Sequence, residues 1–435
     1  MNKTNISLNI TAAHKTNSMI LPNGSICSMD GIATRLNNNV IILGASGSGK
    51  TRGAVIPNLL SAVGSYIITD PKGNLYKKYG GYMREMGYRV VDLDLIHPER
   101  SVCYNPLCYV RSTNDILKLA HQIVYGSNVK KGGNYDPFWD RASCILLSAL
   151  IGYFLDGGKG VECSIQGIIR LLSMIDVEAV EDGEDCEIDS AFAIVNRRHK
   201  EENGEDCWSY TQYKKFKNLA RKTNSCIIAT LHAVLGELDI KELRQMMLYD
   251  ELDIESVGNR KTVIFVEISD TDRSKDTLAN IFYSQAMNIL CSYADEQCSD
   301  SRLPVPVRFI LDDFATNCRI DGFENMISNI RSRNISAVLI LQSIAQLEEG
   351  YSVSAHTIMD NCDTQVYLGG NDLDTASVIA KKCNKPLSQV LNMPLSTNWI
   401  FRRGEPPLLS KTVDLSEYNI DFASDRKEDI GCRLV

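Results

Sequence analysis

The chain has 435 residues, too many for one compact core, so two or three domains are expected. Hydrophobic residues make up 44% and charged residues 23%, a composition that excludes a disordered or fibrous protein. The net charge of −8 argues against a protein that coats nucleic acid, although a ring-shaped assembly can hide a basic channel inside an acidic exterior. The longest apolar run, Cys144 to Leu155, carries Ser148 and Gly152 and falls short of the ~20 residues of a membrane span; it reads as a buried helix. The N-terminus has no apolar segment of the kind that directs secretion, so the expected location is cytoplasmic, with any membrane association made through partners. The fourteen cysteines include no C-x-x-C pair and the six histidines are scattered, which predicts reduced thiols in core positions and no zinc site.

In chain order, the first strong signal is the apolar strand Val40-Ile41-Ile42-Leu43, which runs into Gly44-Ala45-Ser46-Gly47-Ser48-Gly49-Lys50-Thr51 and then into a helix-forming segment. Holding a triphosphate requires backbone N–H groups that turn inward around it, and glycines permit that turn. Lys50 can reach the β- and γ-phosphates, and the Thr51 hydroxyl can sit on Mg²⁺. Residues 44 to 52, from Gly44 to Arg52, are therefore the predicted ATP-binding loop, with its positive helix end aimed at the anion. A purely structural glycine turn explains the glycines but not the Lys-Thr pair.

After this loop, Ser65 to Thr69 reads as a strand ending in Asp70-Pro71-Lys72-Gly73. A helix to about Met86 follows, closed by Gly87, and then a strand from Tyr88 to Leu93. Strand and helix alternate over short connections, the pattern of a parallel sheet wrapped by helices. From about Asn128 to Asn259 the period becomes helical; Asp136-Pro137-Phe138-Trp139 starts a helix whose Ile145, Leu146, Leu150, Ile151 and Phe154 cluster at helical spacing. Residues 176 to 189 carry eight acids and no Lys or Arg, and read as a solvated loop or fraying segment. Strand signals return at Thr262 to Val266, Val307 to Leu311 and Ser336 to Leu341, with weaker ones at Thr364 to Leu368 and Asn398 to Arg402. The expected organisation is an N-terminal segment (1–38), an α/β nucleotide domain (39–127 and 260–413), an all-α insertion (128–259) and a charged tail (414–435).

Hydrolysis needs an acidic strand end to hold the Mg²⁺ shell and orient a water. Phe309-Ile310-Leu311-Asp312-Asp313 fits, with Asp312 on the metal and Asp313 polarising the water. The strand ending in Gln342-Ser343 offers an amide, Gln342, that can report the γ-phosphate. Between them, Arg331 and Arg333 stand two apart, so at most one of them can present a guanidinium to transition-state charge; surface ion pairs explain both equally well.

These motifs together resemble the type IV coupling proteins, the TraG/VirD-type ATPases of conjugation and type IV secretion. The matching text is the loop with Arg52-Gly53, then Ile56-Pro57-Asn58-Leu59-Leu60, Asp70-Pro71-Lys72-Gly73, Asp136-Pro137-Phe138-Trp139, Leu311-Asp312-Asp313-Phe314-Ala315 and Leu341-Gln342-Ser343. The resemblance implies a RecA-like P-loop domain with an inserted all-α domain that faces the substrate. It implies an ATP- and Mg²⁺-dependent motor, hexameric when active, that hands single-stranded DNA with its relaxase, or effector proteins, to a secretion channel. By position it makes Arg331 the arginine finger and Gln342 the phosphate sensor. Asp313 and Asn74 stand where Glu is usual; a carboxylate one methylene short misplaces a water by about an ångström, which can slow a reaction ~10²-fold. Most relatives begin with transmembrane helices, and here the loop strand comes within the first forty or so residues. Docking at a membrane is therefore expected to use a separate anchor protein.

The segment Trp208 to Lys222 holds five cations, four aromatics and no acid, and Lys214, Lys215, Lys217 and Arg221 are candidate contacts to DNA phosphates. Tyr213, Phe216 and Ala220 share a helical face, however, which fits equally well a reading with the aromatics in the core and the cations solvated. Three functions compete: an ATP-driven pump, a platform that docks the relaxase and uses ATP for assembly, and a small-molecule kinase. The presence of acid, amide and arginine favours the pump, and a helical insertion of this size disfavours the kinase.

Overall fold

Val40-Ile41-Ile42-Leu43 has no polar residue to turn towards water, and all four side chains are buried. A strand apolar on both faces belongs inside a parallel sheet covered by helices on both sides. The computed structural model, which describes residues 3–126, 136–314, 320 and 322–415, puts it there. The chain opens with α1 (Lys3–Thr16) and a hairpin of β1 (Ser18–Ile20) and β2 (Ile26–Ser28), a region where no element is predicted from the sequence. Next come β3 (Val40–Leu43), a π-helical turn at Thr51–Val55 leading into α2 (Ile56–Ser61), β4 (Ser65–Asp70), α3 (Asn74–Glu85) and β5 (Arg89–Asp94). A run of helices follows: α4 (Thr113–Gly126), α5 (Phe138–Leu155), α6 (Ile165–Ser173), α7 (Val177–Asp182), α8 (Glu187–Asn203), α9 (Trp208–Lys217), α10 (Arg221–Gly236) and α11 (Lys241–Met246). The sheet resumes with β6 (Thr262–Glu267), then α12 (Asp276–Gln297), β7 (Val307–Leu311), α13 (Phe323–Asn329) and β8 (Ile335–Leu341). It ends with α14 (Ile344–Tyr351), α15 (Ser354–Asp360), β9 (Thr364–Tyr367), α16 (Leu373–Cys383), α17 (Leu387–Leu391), β10 (Thr397–Arg402) and β11 (Leu408–Lys411).

The large sheet runs β11-β10-β9-β3-β8-β7-β4-β6-β5. From β9 to β6 every neighbouring pair is parallel, and β10 is antiparallel to both β9 and β11. Five strands of the parallel core, β3, β4, β6, β7 and β8, are buried along their whole length. The chain divides into two compact units, a sheet unit and a helical unit; the helical unit comprises Asp94–Asp253 and Thr271–Ala286. The tail expected at 414–435 lies outside the described residues beyond position 415.

In the sheet unit, Asn58 on α2 ties the hairpin down. Its amide accepts from Ile20 N–H (3.0 Å) and donates to the Ile20 carbonyl (2.8 Å) and to the Ala54 carbonyl (2.7 Å). At the end of β4, the buried Asp70 carboxylate accepts from the N–H groups of Asn74 (3.1 Å), Leu75 (2.7 Å) and Tyr76 (3.0 Å), the free donors of the first turn of α3. Burial nevertheless pushes this carboxyl above its usual range, and the N–H bonds offset only part of the shift.

In the helical unit, α5 packs against α4 and α9. Among the described residues it is the one helix long and apolar enough to cross a membrane, and 61% of it is buried. The acidic stretch 176–189 is a correction to the sequence reading: it is largely helical. Asp176 caps α7 by accepting from Glu178 N–H (2.9 Å), Gly183 ends that helix at φ 81°, and α8 begins at Glu187. Acids are favourable at helix N-termini, where the backbone N–H groups concentrate positive charge, so the stretch caps two helices instead of fraying. The cysteines also depart from expectation. Those described are free thiols, but Cys108, Cys163 and Cys226 are exposed and only six are buried.

Replacing Asp70 by Ala strands three first-turn N–H donors, of which that of Leu75 is buried. The expected loss is about 2 kcal/mol of stability in the sheet unit, read as a lowered urea midpoint, with Asp70→Asn keeping part of it.

Candidate functional site

The loop after β3 is held from both sides by its neighbouring strands. Gly44 N–H donates to the Leu341 carbonyl at the end of β8 (3.1 Å), and Ala45 N–H donates to the Gly369 carbonyl just beyond β9 (2.9 Å). Gly47 and Gly49 sit at φ 75° and 90°, where a side chain costs about 1–2 kcal/mol. At Gly44 the constraint is space: a Cβ there would lie 2.6 Å from Ser48 Oγ and 2.9 Å from Leu368 Cβ. Ser48 Oγ is itself buried without a hydrogen-bond partner inside the loop. The Gly369-Gly370 pair that walls the loop was not singled out in the sequence; two glycines after a strand signal were the available clue.

Lys50 Nζ donates back to the carbonyls of Gly44 (2.7 Å) and Ala45 (3.3 Å). Burial lowers its pKa, and the charges of Asp313 and then Asp312 oppose that shift. Thr51 Oγ1 donates to Asp312 Oδ2 at 3.2 Å. The two residues are rooted at the ends of β3 and β7, with β8 between them, so about 10 Å of sheet separates their strands. The Thr51 side chain and the Asp312 carboxylate close that gap.

Asp312 is only 9% exposed. Burial pushes its carboxyl up, the charge of Asp313 adds to the rise, and the bonds from Asp313 N–H (3.0 Å) and Thr51 limit it. Asp313 has φ 48°, a left-handed conformation that aspartate tolerates better than most residues. Strain of this kind persists where the surroundings hold it; here Phe314 N–H is fixed on the Ile340 carbonyl at 3.0 Å. Lys50, Thr51, Asp312, Asp313 and the glycine loop thus converge on one place. The site can hold a polyphosphate on backbone N–H groups and a hard divalent cation on a hydroxyl and a carboxylate.

The other predicted residues fall as follows. Gln342 is exposed at the end of β8, between the loop strand and the acidic strand, and its N–H donates to Gln346 Oε1 at 2.8 Å. Arg52 is exposed and pairs with Asp414 at 3.3 Å. Arg331 stands before β8, at the opposite end of the sheet from Lys50, and donates to the Gly31 carbonyl. Seven strand residues, roughly 20 Å, separate those two ends. In the helical unit, Lys214 pairs with Asp206 (3.5 Å) and Lys217 with Asp189 (2.9 Å), while Arg221 donates to the carbonyls of Glu181 and Asp182. Lys215 meets only the Gln212 amide. Tyr213 and Phe216 are buried as the core reading requires, whereas Ala220 is exposed.

Fold and site together define the RecA-like P-loop class, a mostly parallel sheet with a helical domain. A family model described as type IV secretory system conjugative DNA transfer matches residues 4–407, and the chain belongs to that family. It is 21% identical over 355 residues to protein VirD4 of Rhizobium rhizogenes, covering 78% of this chain and 48% of that protein. It is 22% identical over 371 residues to the conjugal transfer protein TraG of Escherichia coli, covering 79% and 54% respectively. The chain therefore spans about half the length of these relatives. Its fold matches the plasmid coupling protein TrwB, solved in complex with ADP and Mg²⁺, with a TM-score of 0.65 and 14% identity over 94% of this chain and 91% of that one.

Because Asp313 raises the Asp312 carboxyl, Asp313→Asn should lower it. In a ¹³C-carboxyl NMR titration Asp312 is expected to protonate above the ordinary aspartate range, and in Asp313→Asn the midpoint should move to lower pH; an unchanged midpoint contradicts the coupling.

Proposed function

We propose that this chain is an ATP-hydrolysing coupling protein that drives single-stranded DNA with its relaxase, or protein effectors, towards a type IV secretion channel. The observation that carries this reading is the Thr51–Asp312 contact, which joins a phosphate-binding loop to an acidic strand end 261 positions later. TrwB, which shares the fold, is known in complexes with ADP and Mg²⁺ and with a non-hydrolysable ATP analogue. The donor set here fits the same ligands: a glycine loop, a Ser48 hydroxyl with no partner among the described residues, and a hydroxyl–carboxylate pair.

In this reading loop N–H groups beyond the strand-bound Gly44 and Ala45, those of Gly47 and of Gly49 to Thr51, hold the phosphates and Lys50 meets the β/γ oxygens. Thr51 and Asp312 hold Mg²⁺, which when bound neutralises charge on the phosphate oxygens. Asp313 orients the attacking water, and its short side chain makes turnover slow. Gln342 contacts the γ-phosphate at the tip of β8. Arg331 lies too far from the loop of its own chain to help there, so it serves a neighbouring copy in a homo-hexamer. Substrate contact falls to the helical unit, where, among the described residues, Lys215 alone of the four candidate cations has neither a carboxylate nor a backbone carbonyl as partner. The assembly works at the inner face of the membrane through channel components.

The test is phosphate release with and without single-stranded DNA. The expected outcome is DNA-stimulated turnover that falls at least ~100-fold in Lys50→Ala and in Asp313→Ala. ATP-dependent oligomers without turnover in either condition point instead to a docking platform, and phosphoryl transfer to a metabolite to a kinase.

A further inference from the structure

The loop strand β3 lies between two differently equipped sides of the sheet. On one side β8 and β7 carry Gln342, Asp312 and Asp313; on the other stand β9, β10 and β11. A triphosphate whose γ-phosphate faces the aspartates and the amide points its ribose the other way, towards β9–β11. The chain leaving β11 stands there, and it is firmly held. Thr412 N–H donates to the Ser396 carbonyl (2.8 Å), and Thr412 Oγ1 accepts from Nδ2 of the fully buried Asn398 on β10 (2.9 Å). Val413 N–H donates to the Pro22 carbonyl (2.8 Å), and its side chain is buried. The backbone is therefore fixed at the two residues that precede Asp414.

This segment leans on the helical turn that follows the phosphate loop. Gly53 meets the Thr412 methyl so closely that a Cβ on Gly53 would lie 2.9 Å from it. Arg52, directly after Thr51, donates from its guanidinium to the Asp414 carboxylate at 3.3 Å. Both side chains are more than half exposed, 61% and 56%, so the pair contributes little to stability and lies open to a ligand. A carboxylate has about four acceptor sites, more than one guanidinium contact uses. The result is an acceptor on a pinned backbone, turned by an arginine, beside the first turn of the loop's helix. Vicinal sugar hydroxyls are donors that such a carboxylate answers, as acids in dinucleotide-binding folds do.

We propose that Asp414 recognises the ribose of the bound nucleotide, accepting from its 2′- and 3′-hydroxyls, and that Arg52 orients it. The proposal rests on the nucleotide-binding reading of the loop and adds the sugar end to it. The sugar is favoured over the base because it follows the α-phosphate directly, and Asp414 is tied to the residue that directly follows Thr51. Asp414 belongs by sequence to the charged tail, and Arg52 to the phosphate loop; the fold gives the first a place in the site and makes the second a positioning residue.

The test is equilibrium binding to the full chain, followed by calorimetry with Mg²⁺ and ADP, 2′,3′-dideoxy-ADP or inosine diphosphate. ADP is expected to bind about 10-fold tighter than its dideoxy analogue, and in Asp414→Ala the two should bind alike at the weaker level. Asp414→Asn, whose amide oxygen still accepts, should keep part of the preference. Arg52→Ala should shrink the ratio of the two affinities and Arg52→Lys restore part of it, a change that a general loss of structure would not produce. Equal affinity for ADP and dideoxy-ADP in the unmodified chain overturns the proposal, as does a preference that survives Asp414→Ala. A preference for ADP over inosine diphosphate that disappears in Asp414→Ala, with the hydroxyl preference intact, overturns it too and assigns the carboxylate to the base. ADP binding that is lost in Lys50→Ala upholds the nucleotide reading whichever way the sugar comparison falls. Absence of any nucleotide binding in the unmodified chain overturns both.

Discussion

One hydrogen bond organises the nucleotide site: Thr51 Oγ1 to Asp312 Oδ2, between residues 261 positions apart. It requires the loop strand and the acidic strand to lie parallel, in register and one strand apart. β8 supplies that spacing; it pairs with β3 through Leu341 opposite Leu43 and with β7 through Leu339 opposite Leu311. A direct β3–β7 pairing would bring the two ends within one strand spacing, about 5 Å, leaving little room for a hydrated cation and a water between them. The interposed strand makes a cleft, and the short threonine and aspartate side chains span it.

The cleft is kept ready by backbone geometry. Two loop glycines and Asp313 occupy left-handed conformations, and residues beside them in the chain, Gly44, Ala45 and Phe314, are pinned on the carbonyls of Leu341, Gly369 and Ile340. Donors fixed in this way need no reorganisation when charge arrives, which is where such sites gain most of their electrostatic effect. The carboxylate pair adds tension of its own. Asp312 is buried beside a second carboxylate, which disfavours its ionised form, and the charge of Lys50, itself bonded to the Gly44 and Ala45 carbonyls, opposes that rise.

The parallel sheet also separates two chemistries by its polarity. Its C-terminal edge collects the glycine loop, the aspartates and the amide; its N-terminal edge collects Arg302 and Arg331, which form no ion pair among the described residues. A strand's length, roughly 20 Å, keeps the two edges from meeting within one chain. A guanidinium at one edge and a phosphate held at the other therefore cannot meet within one copy of the chain. The helical unit follows another logic. Its acids cap helices and neutralise Lys214 and Lys217, which turns what reads as a basic surface into internal pairing.

Strand after strand, the parallel core was legible before any coordinates, because runs such as Val40–Leu43 and Ile335–Leu341 are apolar on both faces and such segments have few other places to go. The glycine loop was legible too, since its backbone requirements are written locally in residue type. Less legible were the hairpin before β3, whose strands are three residues each, and the acidic stretch 176–189, where capping rather than periodicity decides. Sequence alone determined that a phosphate loop, two acids, an amide and two arginines were present. Only the tertiary structure decided which of them share a site, because strand order and direction set distance, and neither is encoded in the spacing of residues along the chain. That is why Asp312 reaches Thr51 across 261 positions, while Arg331, only 11 residues before Gln342, lies at the other end of the sheet.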